Sequence, residues 1–371
     1  MPIQPPDAHV KTLFGLQYLR GVAALMVAYF HMVGQVPALS PFIIKYLLGL
    51  TSLASGVDIF FVISGFIMLL TTRTSTPVEF LIRRIIRVVP LYWILTLCVA
   101  SIALSRPELV RTTVVTFKTL VLSLLFIPYT NPGHDGEVFP ILVPGWSLNF
   151  EMFFYVIFAA VLLIPSLKGR VMLNGAIFAL LLFIHFGVLN DRDGALGFLT
   201  NIRIVEFWLG MMIAWLFTQR AFVGQRPTRW WSVIIVAFAI LIFFPSKWRF
   251  FPELGTTILF TILPAAIVVL GVVVLEQNRA VPRWRFLALM GDASYSIYLA
   301  HILLLGAARA LWVRCGLPTE SVVGAAGFAA SSMILVIVGS LGVYRWLEMP
   351  ITKFLHRQHS HWRAGVVSAV G

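Results

Sequence analysis

LFGLQYLRGVAALMVAYFHMV, residues 13–33, is apolar for long enough to cross a bilayer, yet it carries Arg20 and His31. A helix of about 20 mostly apolar residues spans the hydrocarbon core. The same reading recurs at 49–70, 88–105, 147–165, 171–188, 199–217, 231–245, 254–275, 293–313 and 321–344, between short clusters rich in Arg, Pro and Gly. Hydrophobic residues make up 59% of the chain and charged ones 12%. Soluble domains carry about 25% charged residues, so this chain has too little polar surface to cover a globule. The fold expected is all-α: a polytopic integral membrane protein of about ten transmembrane helices. It divides into a cytoplasmic N-terminal segment (1–12), a membrane domain (13–344) and a basic cytoplasmic tail (345–371).

The stretch 113–128 is apolar, but it is short and holds Lys118. Counted as a span, it would reverse every later loop and place most Lys and Arg outside. Left out, it gives about twice as many on the side of the N-terminus, as the positive-inside tendency requires. It is therefore expected as an interfacial or re-entrant helix, with both termini cytoplasmic. The net charge of +13 is spread over short loops beside spans rather than on one face, which fits membrane lipids and excludes a nucleic-acid partner. The first span contains Arg20 and lacks a small-residue cleavage pattern, so it is expected to stay rather than act as a signal. Two cysteines, Cys98 and Cys315, make no disulfide framework. The tail histidines His356, His359 and His361 have no acidic or thiol companion, so no metal site is expected. The outer segment from Arg106 to Pro144 ends in a polar, turn-rich stretch at 128–140, a candidate lid over an acceptor.

Ionisable groups inside spans cost roughly 2.5–3.5 kcal/mol each on insertion, so each needs a partner or a task. Arg20 and His31 return to within about 20° of one face, roughly 16 Å apart along the helix, and form one stripe. Asp58, in GVDIFFVISGF (56–66), is a counter-charge for Arg20 or an orienter for His31. Glu151 opens the fourth span near the expected depth of His31, which suggests proton handling; a plain N-terminal carboxylate favoured by the helix dipole is the structural alternative. Arg83, Arg84 and Arg87 cluster before the third span, where guanidiniums suit phosphate oxygens of a donor or of lipid. In SYSIYLAH (294–301), Asp292 reads as the preceding N-cap, and Ser294, Tyr298 and His301 fall on one face. Arg203 with Glu206, and Arg345 with Glu348, are spaced to neutralise each other.

Five strings in this order carry a resemblance: LQYLRGVAAL (16–25) with His31, GVDIFFVISGF (56–66), RRIIRVVPLYW (83–93), GWSLNFEMFFY (145–155) and SYSIYLAH (294–301). Together they resemble the bacterial membrane acyltransferase family 3 over nearly the whole chain. The string at 145–155 is most similar to its exopolysaccharide O-acetyltransferase branch. The resemblance implies a ten-span protein of the bacterial inner membrane. Such a protein takes an acyl group, by default acetyl, from acetyl-CoA or another acyl-CoA in the cytoplasm. It delivers that group to a hydroxyl of surface polysaccharide, lipopolysaccharide or lipid-linked sugar, with no permanently bound cofactor. The family's arginine and histidine with ten residues between them match Arg20 and His31, and its paired arginines match Arg84 and Arg87. Many members carry an esterase-like domain after the last span; none follows residue 344 here, so the membrane domain is expected to complete transfer alone or with a separate partner.

Sugar hydroxyls are poor nucleophiles, so a base must take the proton as oxygen attacks the thioester. His31 is the expected base, with Asp58 or Glu151 orienting it and Arg20 holding the donor or stabilising developing charge. An acyl-histidine intermediate is the open variant. Arg83, Arg84, Arg87, Ser294 and Tyr298 are assigned to the donor, and Trp146, Asn149 and His301 to the acceptor. A secondary transporter or flippase for a lipid-linked sugar is the rival, disfavoured because no internal repeat is visible. A non-catalytic scaffold would leave the buried charges without a purpose.

Overall fold

The computed structural model describes residues 12–36, 51–72, 75–107, 110, 113–134, 136–189, 194–243 and 254–370. The principal helices are α1 (Phe14–Gln35), α2 (Gly56–Thr71), α3 (Pro77–Ser105), α4 (Phe117–Leu124), α5 (Trp146–Val161), α6 (Leu167–Gly187), α7 (Ile204–Thr218), α8 (Pro227–Phe243), α9 (Leu263–Gln277), α10 (Arg285–Asp292), α11 (Ser294–Arg314), α12 (Val322–Val343) and α13 (Met349–Val370). The described residues contain no strand ladder, only an isolated bridge between Thr130 and Val138.

Eight helical stretches among the described residues are long and apolar enough to cross a membrane. They are α1, α3, α6, α11, and four stretches that extend α2, α7, α9 and α12. Two shorter apolar helices, α5 with 16 residues and α8 with 17, occupy the remaining expected spans. Large apolar side chains on the outside, such as Leu163, Phe243 and Val323, point away from the core. Hydrocarbon is their natural neighbour, because the backbone inside each helix is already hydrogen-bonded.

α1 has two working faces. Leu16, Leu19, Ala23, Met26 and Val27 join one core with α2, whereas Ala24, Ala28 and Met32 join a second core with Ile297, Leu305 and Phe328. The helix therefore sits at the junction of the bundle. α2 is the most enclosed span, with 83% of its apolar window buried. It meets α7 without side chains between the backbones: a Cβ on Gly65 would overlap the Phe207 carbonyl, and one on Gly210 the Val62 carbonyl. Small residues allow such close approach in membranes, where packing replaces hydrophobic association.

α3 differs from expectation at its start. The third span was expected from residue 88, but the helix begins at Pro77 and runs 29 residues. Thr76 and Glu79 form a reciprocal capping box and Pro77 occupies the first turn, so the chain is helical well before it becomes apolar. The arginine cluster consequently rides on the helix rather than in a loop. Residues 113–128 behave as expected for a non-spanning segment: α4 has only 8 residues, capped by Thr116 and Thr119. Ser123 ties this region together. Its carbonyl accepts from Tyr92, its hydroxyl accepts from the Ile141 amide at 3.0 Å, and the same hydroxyl pairs with Tyr129. Burial raises the Tyr129 hydroxyl above its ordinary pKa, which keeps it a neutral hydrogen-bonding group.

Arg170, 4% exposed, is a structural clamp. Its guanidinium donates to the carbonyls of Ile164 at 2.7 Å, Thr72 at 2.8 Å and Leu162 at 3.3 Å. Those carbonyls lie at or just beyond the C-terminal ends of α2 and α5, where helices leave acceptors unsatisfied. Asp292 closes α10 instead of capping α11, whose N-cap is Ala293; its carboxylate binds the Gln17 amide of α1.

Two expectations follow. Gly210→Leu forces α2 from α7 and lowers stability in detergent by about 1–3 kcal/mol or more, read as a fall in melting temperature. Arg170→Met leaves the clamped carbonyls without a donor, at about 1–3 kcal/mol for each that stays buried; a variant as stable as wild type would remove the clamp's role.

Candidate active site

A cavity with about 800 Å³ of empty space, its mouth included, opens among α1, α2, α3, α5 and α11. One wall is cationic. Arg20 comes from α1, and Arg84 and Arg87, three residues apart on one face of α3, stand with it. None of the three has an ion-pair partner among the described residues; Arg84 instead lies over the rings of Phe80 and Tyr155, at 5.4 and 5.6 Å. Facing them, α2 contributes apolar side chains, including Val57, Phe60 and Ile67. Arg83 is turned out of the cavity by the helical rotation and binds the Ser75 hydroxyl.

Glu151 also lines the cavity, where it accepts from Ser64 at 2.9 Å and from Tyr155 at 2.5 Å. It shares that lining with Arg20 and Arg84. It forms no hydrogen bond to His31, so the expectation of a Glu151–His31 pair is corrected. Ser64 and Tyr155 were not singled out in the sequence. Tyr155 could have been found from its four-residue spacing to Glu151, which puts both on one face.

The opening of α11 fans polar side chains toward different neighbours. Ser294 lines the cavity with a buried hydroxyl that has no partner. Tyr295 donates to the Val88 carbonyl at 2.6 Å, and Ser296 donates to Glu348 at 2.6 Å. Glu348 thus turns to α11 rather than to Arg345, from a π-helical turn between α12 and α13. The Tyr298 hydroxyl pairs with Ser147 at 2.7 Å and donates to the Pro144 carbonyl at 3.0 Å.

His31 and His301 lie one layer beyond the cavity lining. Tyr298 lines the cavity and its ring centre is 6.2 Å from that of His301. His301 Nε2 is 3.2 Å from His31 Nδ1. Sequence spacing placed both histidines on polar stripes but could not show that they meet.

Asp58 is paired with Arg203, not with Arg20 or His31. Arg203 Nη1 is 3.9 Å from Glu206, and its guanidinium lies over the Trp146 ring at 5.7 Å. The close α2–α7 approach is the reason: it brings Asp58 to the start of α7. Trp146 and Asn149, expected at the acceptor, are 3% and 2% exposed and do not line the cavity. Trp146 is enclosed by Phe61, Phe150, Phe198 and Arg203, an aromatic core position.

A bundle with eight helical stretches of membrane-crossing length among the described residues, and with a cavity lined by three arginines, defines a polytopic membrane protein. The chain belongs to acyltransferase family 3, whose acyltransferase-domain profile matches residues 13–345. Among similar proteins, the exopolysaccharide production protein ExoZ of Rhizobium meliloti (strain 1021) is 34% identical over 312 residues, 81% of this chain and 90% of that protein. The putative membrane-bound transacylase BcsY of Komagataeibacter xylinus is 28% identical over 271 residues, 66% of this chain and 64% of its own. Acyltransferase MdmB of Streptomyces mycarofaciens is 26% identical over 379 residues, 95% of each chain. No solved structure matches.

The Asp58–Arg203 pair is buried on the carboxylate side, so removing one partner strands the other. Asp58→Asn should cost about 3–5 kcal/mol, and adding Arg203→Met should recover part of it; additive losses in a thermal double-mutant cycle would contradict the pairing.

Proposed function

We propose that this protein transfers an acyl group, by default acetyl, from acyl-CoA to a hydroxyl of a surface exopolysaccharide or its lipid-linked precursor, in the inner membrane of a bacterium. The observation that carries the reading is the cluster of Arg20, Arg84 and Arg87 around one cavity, three guanidiniums to the single carboxylate of Glu151 and none of them in an ion pair among the described residues. Buried guanidiniums are costly unless something negative joins them, and phosphate oxygens suit their forked donors. The similarity to a protein named for exopolysaccharide production supports the acceptor class.

In this reading the donor's phosphates dock against Arg84 and Arg87, and its thioester end extends along the apolar α2 wall toward Tyr298. The partly exposed His31 receives the acceptor. As the sugar oxygen attacks the thioester carbonyl, His31 takes the hydroxyl proton. The carbon–oxygen bond forms, the carbon–sulfur bond breaks, and the departing thiolate recovers that proton from the imidazolium. Arg20 lies roughly 16 Å along the helix from His31, on the side of Arg84 and Arg87, and holds the donor's phosphates with them. The Lys and Arg bias of the loops supports entry of the donor from the cytoplasm.

Membranes containing the wild-type chain should transfer radiolabel from acetyl-CoA to glycan. His31→Ala and Arg84→Ala, at matched protein levels, should lower transfer by about 10²-fold or more. Arg84→Ala should raise the donor KM, whereas His31→Ala should act on kcat. Full transfer by His31→Ala would remove it as the base. Sugar movement across the membrane without labelling would support a transporter instead.

A further inference from the structure

We infer that His301 is a positioning residue that locks His31 in one tautomer and leaves a single ring nitrogen of His31 bare for catalysis. The inference deepens the acyl-transfer reading and rests on it for the role of His31, but its structural part stands by itself.

The argument is one of donors and acceptors. His301 Nδ1 lies 3.2 Å from the carbonyl of Ile297, one turn earlier on α11. A carbonyl oxygen can only accept, so Nδ1 carries the proton, and in a neutral ring Nε2 is then a bare acceptor. His31 Nδ1 lies 3.0 Å from the Val27 carbonyl, again one turn earlier on its own helix, so it too carries a proton. That nitrogen is also 3.2 Å from His301 Nε2. One N–H of His31 is therefore shared between two acceptors, a carbonyl on α1 and an imidazole nitrogen on α11. The consistent assignment has both rings protonated at Nδ1. His301 Nε2 is occupied by His31, and His31 Nε2 has no hydrogen-bond partner among the described residues.

Burial separates the two roles. His301 is 0% exposed and cannot meet an acceptor sugar, whereas His31 is partly exposed. The His301 ring is held in turn by its own carbonyl bond and by packing beside Tyr298. The carbonyl of Val27 by itself would permit His31 to rotate about its ring bond and present the other edge. The second acceptor, fixed on a different helix, opposes that rotation. It also accepts a hydrogen bond from the Nδ1–H while His31 carries positive charge during transfer, without competing for the proton on Nε2 that His31 must return to the thiolate. The expected acceptor-binding role of His301 is replaced by this one.

The test uses the full chain in lipid nanodiscs with nitrogen-15 histidine, the His31 signals being identified by their loss in His31→Asn. In wild type, His31 should be protonated at Nδ1 and bare at Nε2. His301→Leu should populate the other His31 tautomer and lower kcat by about 10²-fold with the acyl-CoA KM unchanged. His301→Gln, which offers an amide oxygen near the position of Nε2, should restore both. Wild-type His31 protonated at Nε2 overturns the inference. So does His301→Leu with an unchanged tautomer, whatever its rate. The wild-type spectrum is independent of whether the variants fold. Absence of label transfer by the wild-type chain would defeat the acyl-transfer reading while leaving the tautomer assignment standing.

Discussion

A hydrocarbon solvent offers no hydrogen bonds and little relief for charge, and the arrangement of this protein follows from that constraint. Backbone groups are satisfied within helices. Where helices end, Arg170 shows the remedy: one guanidinium, buried among apolar neighbours, serves carbonyls at the ends of two helices. The other intramembrane charges have sorted into two environments. Asp58, Arg203 and Glu206 answer one another inside the α2–α7 contact. Arg20, Arg84 and Arg87 line a cavity and form no ion pair among the described residues.

Both sets lie within the bundle, but the first is closed by ion pairs that the chain supplies, whereas the second lines a cavity and forms none among the described residues. Glu151 stands between these cases. It is held by Ser64 and Tyr155 yet faces the same cavity, so it limits the positive charge there without cancelling it. α1 links the two ends of the site because its length carries Arg20 at one level and His31 at another, while its two packing faces hold it between the cores. α11 supplies the complementary stripe, with Ser294 at the cavity, Tyr298 at its boundary and His301 beside His31.

Much of this was legible in the chain itself, because hydropathy and helical period are local properties. Apolar length determined the all-helical membrane fold, and loop charge removed 113–128 from the spans. The cost of burying charge pointed to Arg20, His31, Asp58 and Glu151 as residues needing a partner or a task. Spacing gathered Arg83, Arg84 and Arg87 into one cluster, from which the family resemblance picked Arg84 and Arg87, and it put Ser294 with Tyr298 and His301. Helix starts were less legible: the capping box at Thr76 extended α3 through polar sequence, and Ala293 rather than Asp292 capped α11.

Tertiary structure alone decided who meets whom. Asp58 had several possible counter-charges at similar depth, and the glycine-to-backbone contact of Gly65 and Gly210 selected Arg203. Arg83 and Arg84 are adjacent in sequence, but about 100° of helical rotation separates the one bound to Ser75 from the one in the cavity. His31 and His301 lie 270 positions apart, and no period along the chain relates them; only the packing of α1 against α11 brings one imidazole to the other. The sequence determined which groups the membrane would not tolerate alone, since that cost depends on residue type and depth. Their partners depended on the rotation and closeness of separate helices, which is information no single helix contains.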